Sequence, residues 1–189
     1  MRSQLAPYGA VLLLIDLQWA IDHPGWGERN NPDAERQVSR LLAHWRTQGW
    51  PVWHVRHDST DSTSHYRPGQ PGHEFKPETA PITGESVIPK QTNSAFIGTD
   101  LEKRLRANDF HTLVVAGVIT NNSVEATVRM AGNLGFQTWL VADGCFTFAQ
   151  TDWNGSPRSA EDVHAMSLAN LDNEYCTVVT ADALLSALS

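Results

Sequence analysis

Three polar residues stand where strand-like runs stop. Asp16 follows Leu12-Leu13-Leu14-Ile15, and Lys90 follows Val87-Ile88-Pro89. Ser123 comes a short turn after Thr112-Leu113-Val114-Val115-Ala116, the turn beginning at Gly117. An acid at the carboxyl end of a buried strand is costly unless it has a partner or a proton to move. The competing reading is an Asp that caps its own loop through the backbone. Lys90, taken alone, reads as a solvated surface lysine. Ser123 lies where a strand hands over to a helix with apolar Val124, Val128, Ala131 and Leu134. Free backbone N–H groups and the positive end of the helix dipole face such a position, and a nucleophile gains from both.

Bringing three strand ends together requires a parallel sheet, and the pattern of the chain predicts one. Val11–Ile15 is a continuous apolar run of the kind found in central parallel strands. Asn31 is predicted to cap a helix that has Pro32 at its first position, Ala34, Val38, Leu41, Leu42 and Trp45 at helical spacing, and Gly49 as its stop. Strands follow at Pro51–Val55 and Ser86–Ile88, then a helix capped by Thr99 with Leu101 and Leu105 on one face. The remainder reads as strand Thr112–Ala116, helix Asn121–Leu134, strand Gln137–Ala142, a helix around Ser159–Leu171, strand Cys176–Val179 and a helix from about Ala181. This alternation predicts a single α/β domain over 1–189, a parallel Rossmann-like β-sheet with helices on both faces. Ligands bind such sheets beyond the carboxyl ends of the strands. Two connections, Leu17–Asn30 and Asp58–Pro81, are longer than joining requires, which marks them as carriers of function.

The 189 residues suffice for a core without disulfides or metal staples, and 41% hydrophobic content is ordinary for a globular chain. A net charge of −7 argues against nucleic acid or an anionic membrane as partner. The longest apolar run, Ala10 to Ile15, is too short to cross a bilayer, and Met1-Arg2-Ser3-Gln4 opens no export signal, so a cytoplasmic location is expected. Cys145 and Cys176 suggest no disulfide framework. Seven tryptophans exceed the needs of one core and point to a pocket or an interface.

The stretch Gly117-Val118-Ile119-Thr120-Asn121-Asn122-Ser123-Val124-Glu125-Ala126-Thr127 resembles the signature of the isochorismatase-like cysteine hydrolases, in most of which a cysteine stands at the position of Ser123. Asp16-Leu17-Gln18 matches the family's D-x-Q element. Lys90 to Leu101, with Ser94-Ala95-Phe96 and Gly98-Thr99, matches its K-x-x-x-S-A-F-x-G-T-x-L element. The resemblance covers nearly the whole chain. It implies the isochorismatase-like hydrolase fold and an Asp–Lys–Cys-type triad made here of Asp16, Lys90 and Ser123. It also implies attack on an amide-type carbonyl, a cis peptide joining Val118 and Ile119, and an oxyanion held by the backbone N–H groups of Ile119 and Ser123. The implied activity is hydrolysis of a linear C–N bond (amide, carbamoyl or ureido) of a small molecule, in a homo-oligomer of two or more subunits.

Serine does not simply replace cysteine in this arrangement. A helix dipole and a lysine bring a thiol of pKa ~8.5 to neutrality, whereas an alcohol stays protonated. Three readings stand: an engineered Cys→Ser change, a natural serine activated by Asp16 as base, or a branch that needs no nucleophile, such as vinyl-ether cleavage with Asp16 as acid. The close match of the surrounding residues favours the first. A catalytically inactive homologue acting as a binding or scaffold protein is the further alternative, against which the retained Asp16 and Lys90 argue. Gln18, Trp26, His57, Asn93 and Phe148 are the expected substrate contacts. Cys145 is read as a buried structural thiol. Nicotinamidase-type relatives hold a metal with an Asp-x-His pair and a later His. Here His57-Asp58 runs in the opposite order, so no metal and no other cofactor is expected.

Overall fold

The structure, a computed structural model, describes residues 7–189; the Met1–Gln4 stretch read above lies outside them. Its centre is a six-stranded sheet in the order β3-β2-β1-β4-β5-β8, every neighbouring pair parallel. The strands are β1 (Val11–Ile15), β2 (Val52–His57), β3 (Ser86–Lys90), β4 (Thr112–Val118), β5 (Gln137–Phe146) and β8 (Thr177–Val179). Two short strands, β6 (Gln150–Thr151) and β7 (Pro157–Arg158), form a separate antiparallel hairpin. The helices are α1 (Ala34–Gln48), α2 (Leu101–Ala107), α3 (Glu125–Asn133), α4 (Ala160–Leu171) and α5 (Ala181–Leu188). α1 packs with α5, and α3 with α4. Strand order steps one way from β1 to β3 and the other way from β4 onward. Right-handed crossovers therefore place α1 and α3 on opposite faces. β1 is buried at every residue because both faces of the sheet are covered. This is the single α/β domain expected from the alternation of elements.

The strands that lead to the site run further than their apolar runs. β2 continues to His57, β3 to Lys90 and β4 to Val118, so polar residues at the carboxyl ends still belong to the sheet. Pairing of Ile15 with both Val55 and Gly117, and of His57 with Lys90, brings those ends to one level. Gly117 is demanded by this packing. Its φ is +128°, and a Cβ there would meet the Ile15 carbonyl oxygen at 2.2 Å.

Three local expectations are corrected. Asn31 does not cap α1, whose N-cap is Asp33, and Pro32 precedes the helix. Asn31 has φ +43°, and its amide donates to the carbonyls of Ala142 and Cys145 at 3.1 and 2.7 Å. Those carbonyls lie in an irregularity of β5, which pairs Leu140 with Val115 but Cys145 with Gly117. The extra residues bulge out of the ladder there, and β5 resumes to Phe146 rather than ending at Ala142. At α2 the N-cap is Asp100; the Thr99 hydroxyl accepts from the Leu101 N–H at 3.3 Å, while donating to the Ala95 carbonyl at 2.6 Å.

The two long connections meet each other. Gln18 pairs with Phe75, the Trp19 N–H donates to the Glu74 carbonyl, and the Lys76 N–H donates to the Leu17 carbonyl. The Lys76 ammonium reaches Asp22 at 2.8 Å and Glu35 of α1 at 2.7 Å, and Arg29 also binds Glu35. Both loops are thereby fastened to α1. Among the described residues no helix is long and apolar enough to cross a membrane.

Candidate active site

Asp16, Lys90 and Ser123 converge at the point where strand order reverses. β1 and β4 lie side by side, so Asp16, just past β1, and the turn after β4 face each other. Lys90 reaches across from the end of β3. Its ammonium lies 2.6 Å from Asp16 Oδ2, 3.0 Å from the Thr92 carbonyl, 3.1 Å from Ser123 Oγ and 3.3 Å from His57 Nδ1. Three hydrogens thus serve four acceptors, and the side chain is fully buried. Lys90 is not the solvated lysine that its position alone suggests.

Asp16 sits at φ +52°, a conformation a non-glycine residue adopts only under constraint from its surroundings. Its own N–H donates to the Val55 carbonyl, and its carbonyl accepts from the Gln18 N–H. Burial raises the carboxyl above its ordinary range, opposed by the Lys90 ammonium and the Ser123 hydroxyl. Oδ1 is buried without a hydrogen-bond partner among the described residues.

Ser123 lies in one turn of π-helix, Thr120–Val124, inserted between β4 and α3. The peptide joining Val118 and Ile119 is cis. α4 pins this turn from behind: His164 Nδ1 and Thr120 Oγ1 lie 2.9 Å apart, and Ser167 bonds both the Thr120 carbonyl and Glu125. The turn places Ser123 Oγ 3.1 Å from the Lys90 ammonium, and Ile119 and Ser123 line a cavity of about 180 Å³. That cavity is lined also by Asp16, Trp26, His57, Ser64, Tyr66, Asn93, Val118 and Asn122.

The family model for the isochorismatase domain matches residues 10–183. The chain belongs to the isochorismatase family. It is 40% identical over 175 residues to the isochorismatase family protein YrdC of Bacillus subtilis, covering 93% of this chain and 94% of that one. Its fold superposes on the crystal structure of an isochorismatase-family protein from Chromobacterium violaceum with a TM-score of 0.93, at 64% identity, over 95% of this chain and 93% of the other. Maleamate amidohydrolase of Pseudomonas putida is 35% identical over 112 residues, 59% of this chain and 47% of that enzyme. The family thus includes amidohydrolases.

Of the residues expected at an isochorismatase-family site, the cavity brings together Asp16, Ser123, Ile119, Trp26, His57 and Asn93, with Lys90 directly beneath. Two do not line it. Gln18 is fully buried and spent on backbone: its amide donates to the carbonyls of His57 and His73 and accepts from the His57 N–H. It ties the first loop to the second rather than meeting a ligand. Phe148 stacks behind Trp26, ring centroids 5.6 Å apart, and so steadies the wall without forming it. His57 is held at about 4 by burial and by the Lys90 ammonium, and is therefore neutral at physiological pH. His73 and Arg56 pair with Asp58 instead of joining a metal set. No group of three or more metal-ligating side chains occurs among the described residues. Cys145 is fully buried, its thiol pushed up to about 12 by burial. Ser64, Tyr66, Asn122 and the Thr92 carbonyl went unforeseen. Ser64 and Tyr66 sit in the long second loop, whose length was the only signal pointing to them.

Proposed function

We propose that this protein hydrolyses a linear C–N bond (amide, carbamoyl or ureido) of a small molecule, with Ser123 Oγ as the attacking atom. The observation that carries the reading is the Lys90 ammonium, buried between Asp16 Oδ2 and Ser123 Oγ, two residues that line the cavity. Ser123 Oγ adds to the substrate carbonyl carbon while its proton passes to the Asp16 carboxylate. The tetrahedral oxyanion is met by the backbone N–H groups of Ile119 and Ser123, donors fixed in place before the charge develops. Collapse breaks the C–N bond, and Asp16 returns its proton to the departing nitrogen. Water then adds to the Ser123 ester and releases the acid, with Asp16 again carrying the proton. Lys90 stabilises the Asp16 carboxylate before attack and the negative charge that grows on Ser123 Oγ as its proton leaves.

An alcohol is a poorer nucleophile here than a thiolate, so the serine form turns over slowly. Replacing Ser123 by Cys keeps the geometry and supplies an atom that Lys90 and the helix dipole can ionise. Ammonia release from nicotinamide, linear amides, carbamoyl and ureido compounds should rise by about a hundredfold in Ser123→Cys. A folded Ser123→Cys protein that releases no ammonia from any of them overturns the reading. The raised Asp16 carboxyl favours one second reading, protonation of a vinyl ether. That reaction needs no nucleophile, so its rate would not respond to the Ser123→Cys change.

A further inference from the structure

The walls of the cavity hold no free positive charge. The ammonium of Lys90, which bonds the lining residues Asp16 and Ser123, is already committed to Asp16 Oδ2, Ser123 Oγ, the Thr92 carbonyl and His57 Nδ1. Neighbouring cations are likewise matched: Arg56 makes two bonds to Asp58, at 2.8 and 3.1 Å, and Lys76 lies between Asp22 and Glu35. Arg67, on the second loop, has a buried Nε without a hydrogen-bond partner among the described residues, but it is not among the lining residues. The imidazole of His57 is neutral above about 4. The remaining polar linings, Ser64, Tyr66, Asn93 and Asn122, are uncharged.

Of the buried Lys90–Asp16 pair, the acid is the member that lines the cavity. Asp16 forms part of the floor, and burial, with Asp16 and Asp22 adding to it, holds the Tyr66 phenol well above its usual range, so it stays a neutral donor. Trp26, braced by Phe148, and Tyr66, edge-on to His57, supply aromatic surface to the walls. A carboxylate placed here would lose its water, find no guanidinium or free ammonium, and lie near Asp16.

We infer that the site selects an uncharged, flat amide or ureide and rejects substrates bearing a carboxylate. The inference rests on the hydrolase reading above and adds to it the charge of the substrate. Desolvation without a counter-ion penalises only the anion, whereas the aromatic walls and neutral donors accept the uncharged form.

Isosteric pairs isolate charge from shape: succinamide against succinamate, and terephthalamide against terephthalamate. Binding to the Ser123 protein is measured by titration calorimetry. The neutral member should bind at least about tenfold tighter in each pair. The exposed Asn93 stands among the cavity linings, and Asn93→Lys, which adds an ammonium there, should narrow that gap. Equal or tighter binding of the anions overturns the inference, as does absence of binding by both neutral amides at millimolar concentration. Ammonia release by Ser123→Cys separates the two ideas. Neutral amides that bind without being cleaved remove the hydrolase reading and leave the charge preference standing. Faster cleavage of the anionic members does the reverse.

Discussion

Removing the ammonium from beneath the cavity tests whether the pair it forms is as tightly coupled as the geometry requires. In Lys90→Met the chain keeps a side chain of similar reach but loses the charge at 2.6 Å from Asp16 Oδ2. Asp16 is only 4% exposed and already has one oxygen without a partner. Water therefore cannot replace the lost bond. Breaking a buried pair on one side costs about 3–5 kcal/mol, and because the stranded carboxyl can escape by binding a proton we expect about 3 kcal/mol near neutral pH. The sign of the pH dependence follows. Burial already raises this carboxyl above its ordinary 3.8, and loss of Lys90 raises it further. A group that holds its proton more tightly when folded favours folding below its unfolded pKa, and this advantage fades as pH rises through the folded pKa. The deficit of Lys90→Met should accordingly shrink by up to about 1.4 kcal/mol per pH unit as acid is added within that window. Urea unfolding of wild type, Lys90→Met, Asp16→Asn and the double variant, at about pH 5 and about pH 8, gives both quantities. We expect a coupling energy of about 2 kcal/mol, with the double variant more stable than Lys90→Met. A coupling below about 0.5 kcal/mol, or a pH-independent deficit, would refute the argument.

Other consequences are equally accessible. Gly117→Ala forces a methyl into the Ile15 backbone and should cost at least about 3 kcal/mol or abolish soluble expression, read by urea unfolding; near-normal stability would mean that β1 and β4 are not so closely apposed. The ring protons of His57, followed by NMR, should stay at neutral-imidazole shifts down to about pH 5, with the transition near 4; a midpoint near 6.5 contradicts the proximity of Lys90. The unfolded histidine takes its proton first on acidification, so His57 withdraws stability as pH falls from about 6.5 toward 4. We also propose that the chain assembles as a homo-oligomer, given exposed Trp19, Trp26 and Trp153; light scattering returning a mass near 20.9 kDa dismisses this.

The ends of the apolar runs were readable because a polar residue closing a buried strand stands out against its neighbours. That is why Asp16 and Ser123 could be named from the chain, and why the sheet and its helices followed from the alternation. Strand lengths were underestimated at those same ends. His57 and Lys90 are held in the sheet by register with neighbours, not by their own hydrophobicity. Asn31 shows the limit more sharply. Asn followed by Pro is a sound local cap signal, yet the amide is taken by carbonyls at 142 and 145, which only the folded sheet brings near. Gln18 fails for the same reason: its partners at 57 and 73 lie at the end of β2 and on the second loop, far from it in sequence. Tyr66 and Ser64 carry no periodic or spacing signal at all, so their place on the wall emerges only from how the loop is draped.

The clasp formed by Lys76, Glu35, Asp22 and Arg29 bears on how this protein responds to acid. Glu35 is held at about 2, chiefly through its bonds to Arg29 and Lys76, which outweigh the cost of its burial. The fastening of both loops to α1 therefore remains ionised across the whole mildly acidic range. Buried His54, His57 and His164 behave in the opposite way, since burial lowers each below its ordinary value and an unfolded chain would take up the proton more readily. Acid should thus act first through the histidines in the interior of the sheet and behind the π-turn, while the clasp on α1 still holds. The fastening of the two long loops to α1 would be among the last parts of the molecule to yield.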